Sequence, residues 1–246
     1  MSAPLPKAVL LDLDDTILDD SGPIDACWRE ACFAHTRAVA GPDPAVLLAA
    51  IEKTAKWYWS DAERHRIGRL DLDAARREVV TMALATIGVD DPPLAARVAG
   101  TYSQRRDEGI EPLDDAIDTV QWLRTSGCRL ALLTNGTGPA QRRKIDRFEL
   151  APLFDEILIE GEVGFGKPDP RIYTLALERL GVAASDAWMV GDNLVWDVAQ
   201  PQRMGVFGIW IDRSGKGLRE TDTVRPGRIV RGLSELREIG EMSVTA

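Results

Sequence analysis

Five short apolar runs, at residues 8–13, 130–134, 156–159, 188–190 and 206–211, constrain this chain more than any other feature. A run that stays apolar from one residue to the next has no face to offer water. It therefore reads as a strand covered on both sides, the kind found in parallel sheets. Helical patterns fill the spaces between the later runs, at 115–126, 139–148, 170–180 and 193–204. Gly127, Gly181 and Gly205 follow three of them, where a helix end calls for a left-handed residue. Strand alternating with helix predicts an α/β fold, a doubly wound parallel sheet of Rossmann-like type.

Residues 22–108 break that rhythm. They hold no convincing strand and read as amphipathic helices over 23–39, 45–63, 71–87 and 94–107. Gly41-Pro42, Gly68, Gly88 and Asp91-Pro92-Pro93 punctuate them. The expected organisation is an α/β core at 1–21 and 109–246 with a smaller all-helical domain at 22–108. Hinges are expected near 20–23 and 110–114. A chain of 246 residues has room for such a core and one modest insertion.

The net charge of −9 argues against nucleic acid or an anionic membrane as a partner, since both need basic patches. It leaves an anionic small molecule open, because a metal or a few local cations can dominate a site. Three cysteines without a CxxC pair give no disulfide framework, and two histidines cannot build a histidine-rich metal site. Residues 1–7 lack an apolar signal core and no run reaches membrane-spanning length. The expectation is a soluble cytoplasmic protein, monomer or homodimer.

The first run leads into Asp12-Leu13-Asp14-Asp15-Thr16. Strand alternation would put Asp12 and Asp14 on one side, at the carboxyl end of the strand, where such sheets bind ligands. Two carboxylates so close repel, which makes a cation a natural third partner. One could then attack while the other moves a proton. Each later run also ends in polar residues. Thr134-Asn135-Gly136 offers a hydroxyl and glycine-freed backbone amides suited to phosphate oxygens. Gly166-Lys167-Pro168 offers a cation ahead of a helix, and Gly191-Asp192-Asn193 precedes Asp197 by a few residues. Singly, each has a plainer reading, as a helix cap or a solvated loop. Four clusters on one edge of one sheet do not. Asp15, Asp19 and Asp20 read as solvated loop acids.

In that order, Asp-x-Asp-x-Thr, Thr, Lys and Gly-Asp-x-x-x-x-Asp, the chain resembles the haloacid dehalogenase-like hydrolase superfamily over the whole sheet domain. The helical insertion resembles that family's cap. The resemblance implies a phosphatase in which Asp12 is the nucleophile and Asp14 the general acid, later the base. It implies that Thr134 and the Asn135 backbone hold the phosphoryl group and that Lys167 neutralises it. It further implies Mg²⁺ bound by Asp12, the Asp14 carbonyl and Asp192, with Asp197 orienting bound water. The substrate would be a small phosphorylated metabolite, a sugar phosphate or a nucleoside monophosphate.

Several rivals are weighed by residue. A 2-haloacid dehalogenase of this kind lacks the acid two residues after the nucleophile and needs no metal, whereas Asp14 and Asp192 are present. A phosphosugar mutase would use the same residues. Gly161 to Lys167 nearly matches a nucleotide-binding Gly-x-x-x-x-Gly-Lys loop, but Pro168 replaces the hydroxyl residue such a loop needs. A receiver domain carries its nucleophile on the third strand and has no large helical insertion. A pseudo-enzyme would not keep every catalytic position. In the insertion, Arg64 to Arg69 reads as a basic turn, solvated or meeting an anionic part of the substrate. Trp57, Tyr58 and Trp59 read as core or as a stacking surface.

Overall fold

The computed structural model describes residues 5–22, 24–36 and 41–241. Pro23 and residues 37–39, part of the expected first hinge and first helix, lie outside them. The chain divides into two compact units, Met1–Asp19 with Glu111–Ala246, and Asp20–Ile110.

Strands β1 (Ala8–Leu11) and β2 (Leu18–Asp19) come first in the chain. Five helices make the second unit: α1 (Ile24–His35), α2 (Pro44–Trp59), α3 (Ala62–Gly68), α4 (Leu72–Thr86) and α5 (Pro92–Gly109). Asp43, Asp61, Asp71 and Asp91 each accept backbone N–H groups at the start of α2 to α5, satisfying donors the helix cannot. The helices close on a core that includes Trp28, Ile51, Val80 and Val98, with Trp28 and Tyr102 stacked 3.5 Å apart. The expected single helix over 45–63 is two. Asp61 caps a new start, so Arg64 to Gly68 lie within α3 instead of forming a turn.

In the first unit the chain continues through β3 (Glu111–Pro112), α6 (Ala116–Thr125), β4 (Arg129–Thr134) and α7 (Gly138–Arg147). It then forms β5 (Glu156–Ile159), α8 (Glu160–Val163), α9 (Pro170–Leu180) and β6 (Ala187–Gly191). A π-helix at Leu194–Ala199 leads into α10 (Gln200–Arg203), β7 (Phe207–Ile211), β8 (Arg228–Val230) and α11 (Glu235–Glu241). Six strands form one parallel sheet in the order β5-β4-β1-β6-β7-β8. This is the α/β sheet that the apolar runs predict, with β8 an added edge strand. β1 is central and fully buried, since both its faces and both its edges are covered. The chain leaves β1 for β4 and β5 on one side, then returns to β6 and β7 on the other. The carboxyl ends of β1, β4 and β6 thus border the crevice at which such sheets bind ligands. Among the described residues no helix is long and apolar enough to cross a membrane.

The first strand ends at Leu11, two residues before the apolar run does. Asp12 still donates its N–H to the Val190 carbonyl at 3.0 Å. The chain then turns: the Leu13 carbonyl accepts from Ile17 and Leu18 at 2.9 and 3.0 Å, and Asp15 has φ of 60°. Asp12 and Asp14 are therefore not alternate positions of one strand, and strand alternation does not orient them. The turn also starts β2, which pairs antiparallel with β3.

Candidate active site

At the carboxyl edge of β1 and β6, Lys167 Nζ lies 2.7 Å from Asp12 Oδ1 and 2.7 Å from Asp197 Oδ1. The lysine is 1% exposed and Asp197 is completely buried. Lys167 reaches this depth because Asn135, just past β4, grips its peptide on both sides. Asn135 Nδ2 donates to the Lys167 carbonyl at 2.7 Å, and the Lys167 N–H donates to Asn135 Oδ1 at 2.8 Å. The preceding residue must be glycine, since a Cβ on Gly166 would sit 2.5 Å from Asn135 Oδ1. The Lys167–Pro168 peptide bond is cis.

Asp197 arrives through the π-helix after β6, a bulged form often found at functional sites. Its Oδ2 accepts the Asn193 N–H at 3.0 Å. Gly191 makes room for it, because a Cβ there would fall 2.3 Å from the Asp197 Cγ. The glycine of Gly-Asp-x-x-x-x-Asp is thus a steric requirement of the last aspartate. Asp192 is partly exposed, with its carbonyl accepting the Trp210 indole N–H at 2.7 Å.

Asp12, Asp192 and Asp197 each present a carboxylate oxygen, all within 4.8 Å of one another. Burial pushes the Asp12 carboxyl well above its usual range; Lys167 opposes this, while Asp197 and Asp192 add to it. Burial, then Asp197 and Asp15, push Asp192 up to about 7. Burial works to discharge Lys167, but the two aspartates outweigh it and the ammonium is held charged. Three carboxylates against one ammonium leave this cluster two charges short of balance when all are ionised. An oxygen-only set with that deficit fits a hard divalent cation.

Asp14 and Thr134 are linked through Gln141. Asp14 Oδ1 takes the Lys144 ammonium at 2.7 Å, and Asp14 Oδ2 takes the Gln141 amide at 2.7 Å. Gln141 also donates to the Thr134 hydroxyl. On the near side, Thr16 donates to Asp12 Oδ2 over a longer 3.4 Å.

Three expectations are corrected. The Gly136 amide is engaged by the buried Glu160 carboxylate at 3.0 Å, so that glycine's N–H serves the loop. Asp15 and Asp19 pair with Arg213 at 3.5 and 3.0 Å instead of standing solvated. Asp20 pairs with the buried Arg106. Sequence reasoning missed Gln141, Lys144, Glu160 and Arg213. The one signal for Gln141 and Lys144 was their spacing of three on a helix beginning just after Thr134-Asn135-Gly136.

A family model for hydrolases, haloacid dehalogenase-like hydrolase, matches residues 6–205. Phosphoserine phosphatase of Thermus thermophilus is 36% identical over 242 residues, covering 88% of this chain and 91% of its own. The (S)-2-haloacid dehalogenase of Pseudomonas putida is 24% identical, covering 94% of both chains. Among solved structures, a HAD-hydrolase of Bacillus subtilis bound to magnesium superposes with a TM-score of 0.74 at 24% identity. It covers 96% of this chain and 99% of its own, a likeness of fold.

Proposed function

The chain belongs to the haloacid dehalogenase-like hydrolase family, and from that premise we propose that it is a phosphatase acting on small phosphate monoesters. One observation carries the reading: a buried ammonium shared at 2.7 Å by Asp12 and Asp197, with Asp192 beside them. Phosphoryl transfer asks a protein for positioning and charge neutralisation more than for elaborate chemistry. This cluster is suited to both.

Asp12 is the nucleophile. Lys167 fixes its Oδ1, leaving Oδ2, with the longer contact to Thr16, as the oxygen that attacks phosphorus. The Asp12 Oδ–P bond forms as the ester P–O bond breaks, and Asp14 gives its proton to the departing oxygen. Water then attacks the aspartyl phosphate, Asp14 takes a proton back, and phosphate leaves with Asp12 restored. Thr134 and the Asn135 backbone hold the phosphoryl oxygens, and Lys167 offsets their charge. Asp12, the Asp14 carbonyl and Asp192 would hold Mg²⁺, with Asp197 supporting its water. Bound there, the ion neutralises phosphoryl charge and draws Asp12 into its ionised form. The 36% identity to a phosphoserine phosphatase supports a small metabolite as the substrate.

The test is phosphate release from p-nitrophenyl phosphate, phosphoserine, sugar phosphates and nucleoside monophosphates, with Mg²⁺ and with EDTA. Release is expected only with the ion, and Asp12→Asn is expected to form no phosphoenzyme on rapid quench. Full activity in EDTA would sink the metal assignment, and an acid-stable phosphoaspartate in Asp12→Asn would sink the nucleophile. Chloride release from 2-chloropropionate in the same panel would instead favour the dehalogenase reading that the Pseudomonas relative raises.

A further inference from the structure

Gln141 sits in the first half of α7, 3% exposed, in a helix whose other residues are mostly charged or polar. Its side-chain nitrogen meets three acceptors from two separate parts of the first unit. They are Asp14 Oδ2 at 2.7 Å, the Asn135 carbonyl at 3.0 Å and the Thr134 hydroxyl oxygen. A carboxylate and a carbonyl can only accept, so the atom facing them must be the nitrogen, and the amide has one possible orientation.

That orientation has a consequence for Thr134. An N–H aimed at the hydroxyl oxygen occupies a lone pair and turns the hydroxyl proton elsewhere. In this structure the hydroxyl proton goes to the Asn135 carbonyl over a long 3.4 Å, a bond weak enough for a nearer acceptor to replace. The Thr134 proton is thereby available to an incoming acceptor, and a phosphoryl oxygen is one. The amide also has two protons for three acceptors, so what Asp14 takes is withdrawn from Thr134 and Asn135. When Asp14 leaves to serve the leaving oxygen, Gln141 is free to bond Thr134 fully.

We propose that Gln141 is a positioning residue, which fixes the Thr134 hydroxyl as a donor toward the phosphoryl group and couples it to Asp14. The proposal rests on the phosphatase reading above. It concerns a residue outside the groups that touch the substrate, and it acts through Thr134 and Asp14.

Gln141→Met tests it, because methionine keeps the length and burial but has no N–H. Kinetics with Mg²⁺ and p-nitrophenyl phosphate are compared for wild type, Gln141→Met, Thr134→Val and the double variant. One hydrogen bond is worth about tenfold. Gln141→Met is therefore expected to lower kcat/KM by roughly tenfold or more, mainly through KM. In the Thr134→Val background the same change should cost less than about threefold, since the hydroxyl it orients is gone. An active wild type with Gln141→Met unimpaired, or equally impaired in both backgrounds, would overturn the proposal while leaving the phosphatase reading intact. A wild type that released no phosphate would overturn the reading, and the proposal with it.

Discussion

At the scale of single residues the site is governed by charge balance in a dry place. Lys167 is the cation that Asp12 and Asp197 share, both at 2.7 Å, and water reaches neither Lys167 nor Asp197 appreciably. Taking one partner from a buried ion cluster leaves charge that nothing compensates, at a cost of about 3–5 kcal/mol. Lys167→Met should therefore lower stability by that order in EDTA at neutral pH, read from urea unfolding. A divalent cation should restore part of the loss, because it would supply the missing positive charge. An unchanged urea midpoint would mean that the carboxylates are not held ionised. The lysine itself was legible, since a cation ahead of a helix at the end of a strand invites attention. The Asn135 amide that grips its backbone was not, because that contact spans 32 residues and depends on how two loops meet.

Elements carry the next layer, and the loop after β7 shows it best. The buried Asp212 accepts the Ser214 hydroxyl at 2.8 Å and the Gly217 N–H at 2.6 Å, closing the turn from which Arg213 reaches Asp15 and Asp19. Burial, the largest single influence, pushes its carboxyl up, but hydrogen bonds from Gly217, Ser214, Gly215 and Lys216 together outweigh it and hold the carboxyl below its ordinary value. A carboxyl depressed in the folded state contributes stability above its unfolded value and loses it as pH falls through the folded one. Asp212→Asn should thus be less stable than wild type at pH 6 to 7, with the gap closing below about pH 4. A gap that widened toward low pH in urea titrations would reverse the sign. The sequence gives little warning of this turn, whose partners become meaningful only once β7 and β8 are paired.

For the whole molecule, the two-unit division yields a geometric prediction. Asp19 on β2 and Glu111 on β3 are direct partners in an antiparallel pair, the last and first residues of the first unit around the insertion. A two-residue turn such as Asn-Gly joins partners of that kind. Replacing residues 20–110 with Asn-Gly should leave a chain that keeps the six-stranded sheet and unfolds in one cooperative transition, followed by circular dichroism. It should still hydrolyse p-nitrophenyl phosphate, because Asp12, Asp14, Thr134, Lys167, Asp192 and Asp197 all lie in the first unit. Loss of any cooperative transition would show that the first unit does not fold alone, and a folded chain without hydrolysis would show that these residues do not suffice.

The sequence by itself determined the parallel sheet, the helical insertion and the set of polar residues gathered at the strand ends. It could do so because apolar runs and helix stops are local signals, and each needs only its neighbours to be read. Tertiary structure decided which of those polar groups meet. The chain turns after Leu11 with Asp15 left-handed, which sends the Asp14 carboxylate to Gln141 and Lys144. The π-helix brings Asp197 back against Gly191, so it is Asp197 whose carboxylate joins Asp12 and Asp192. A carboxylate's partner is set by where the backbone aims it, and that aim was fixed here by turns and close approaches between segments distant in sequence.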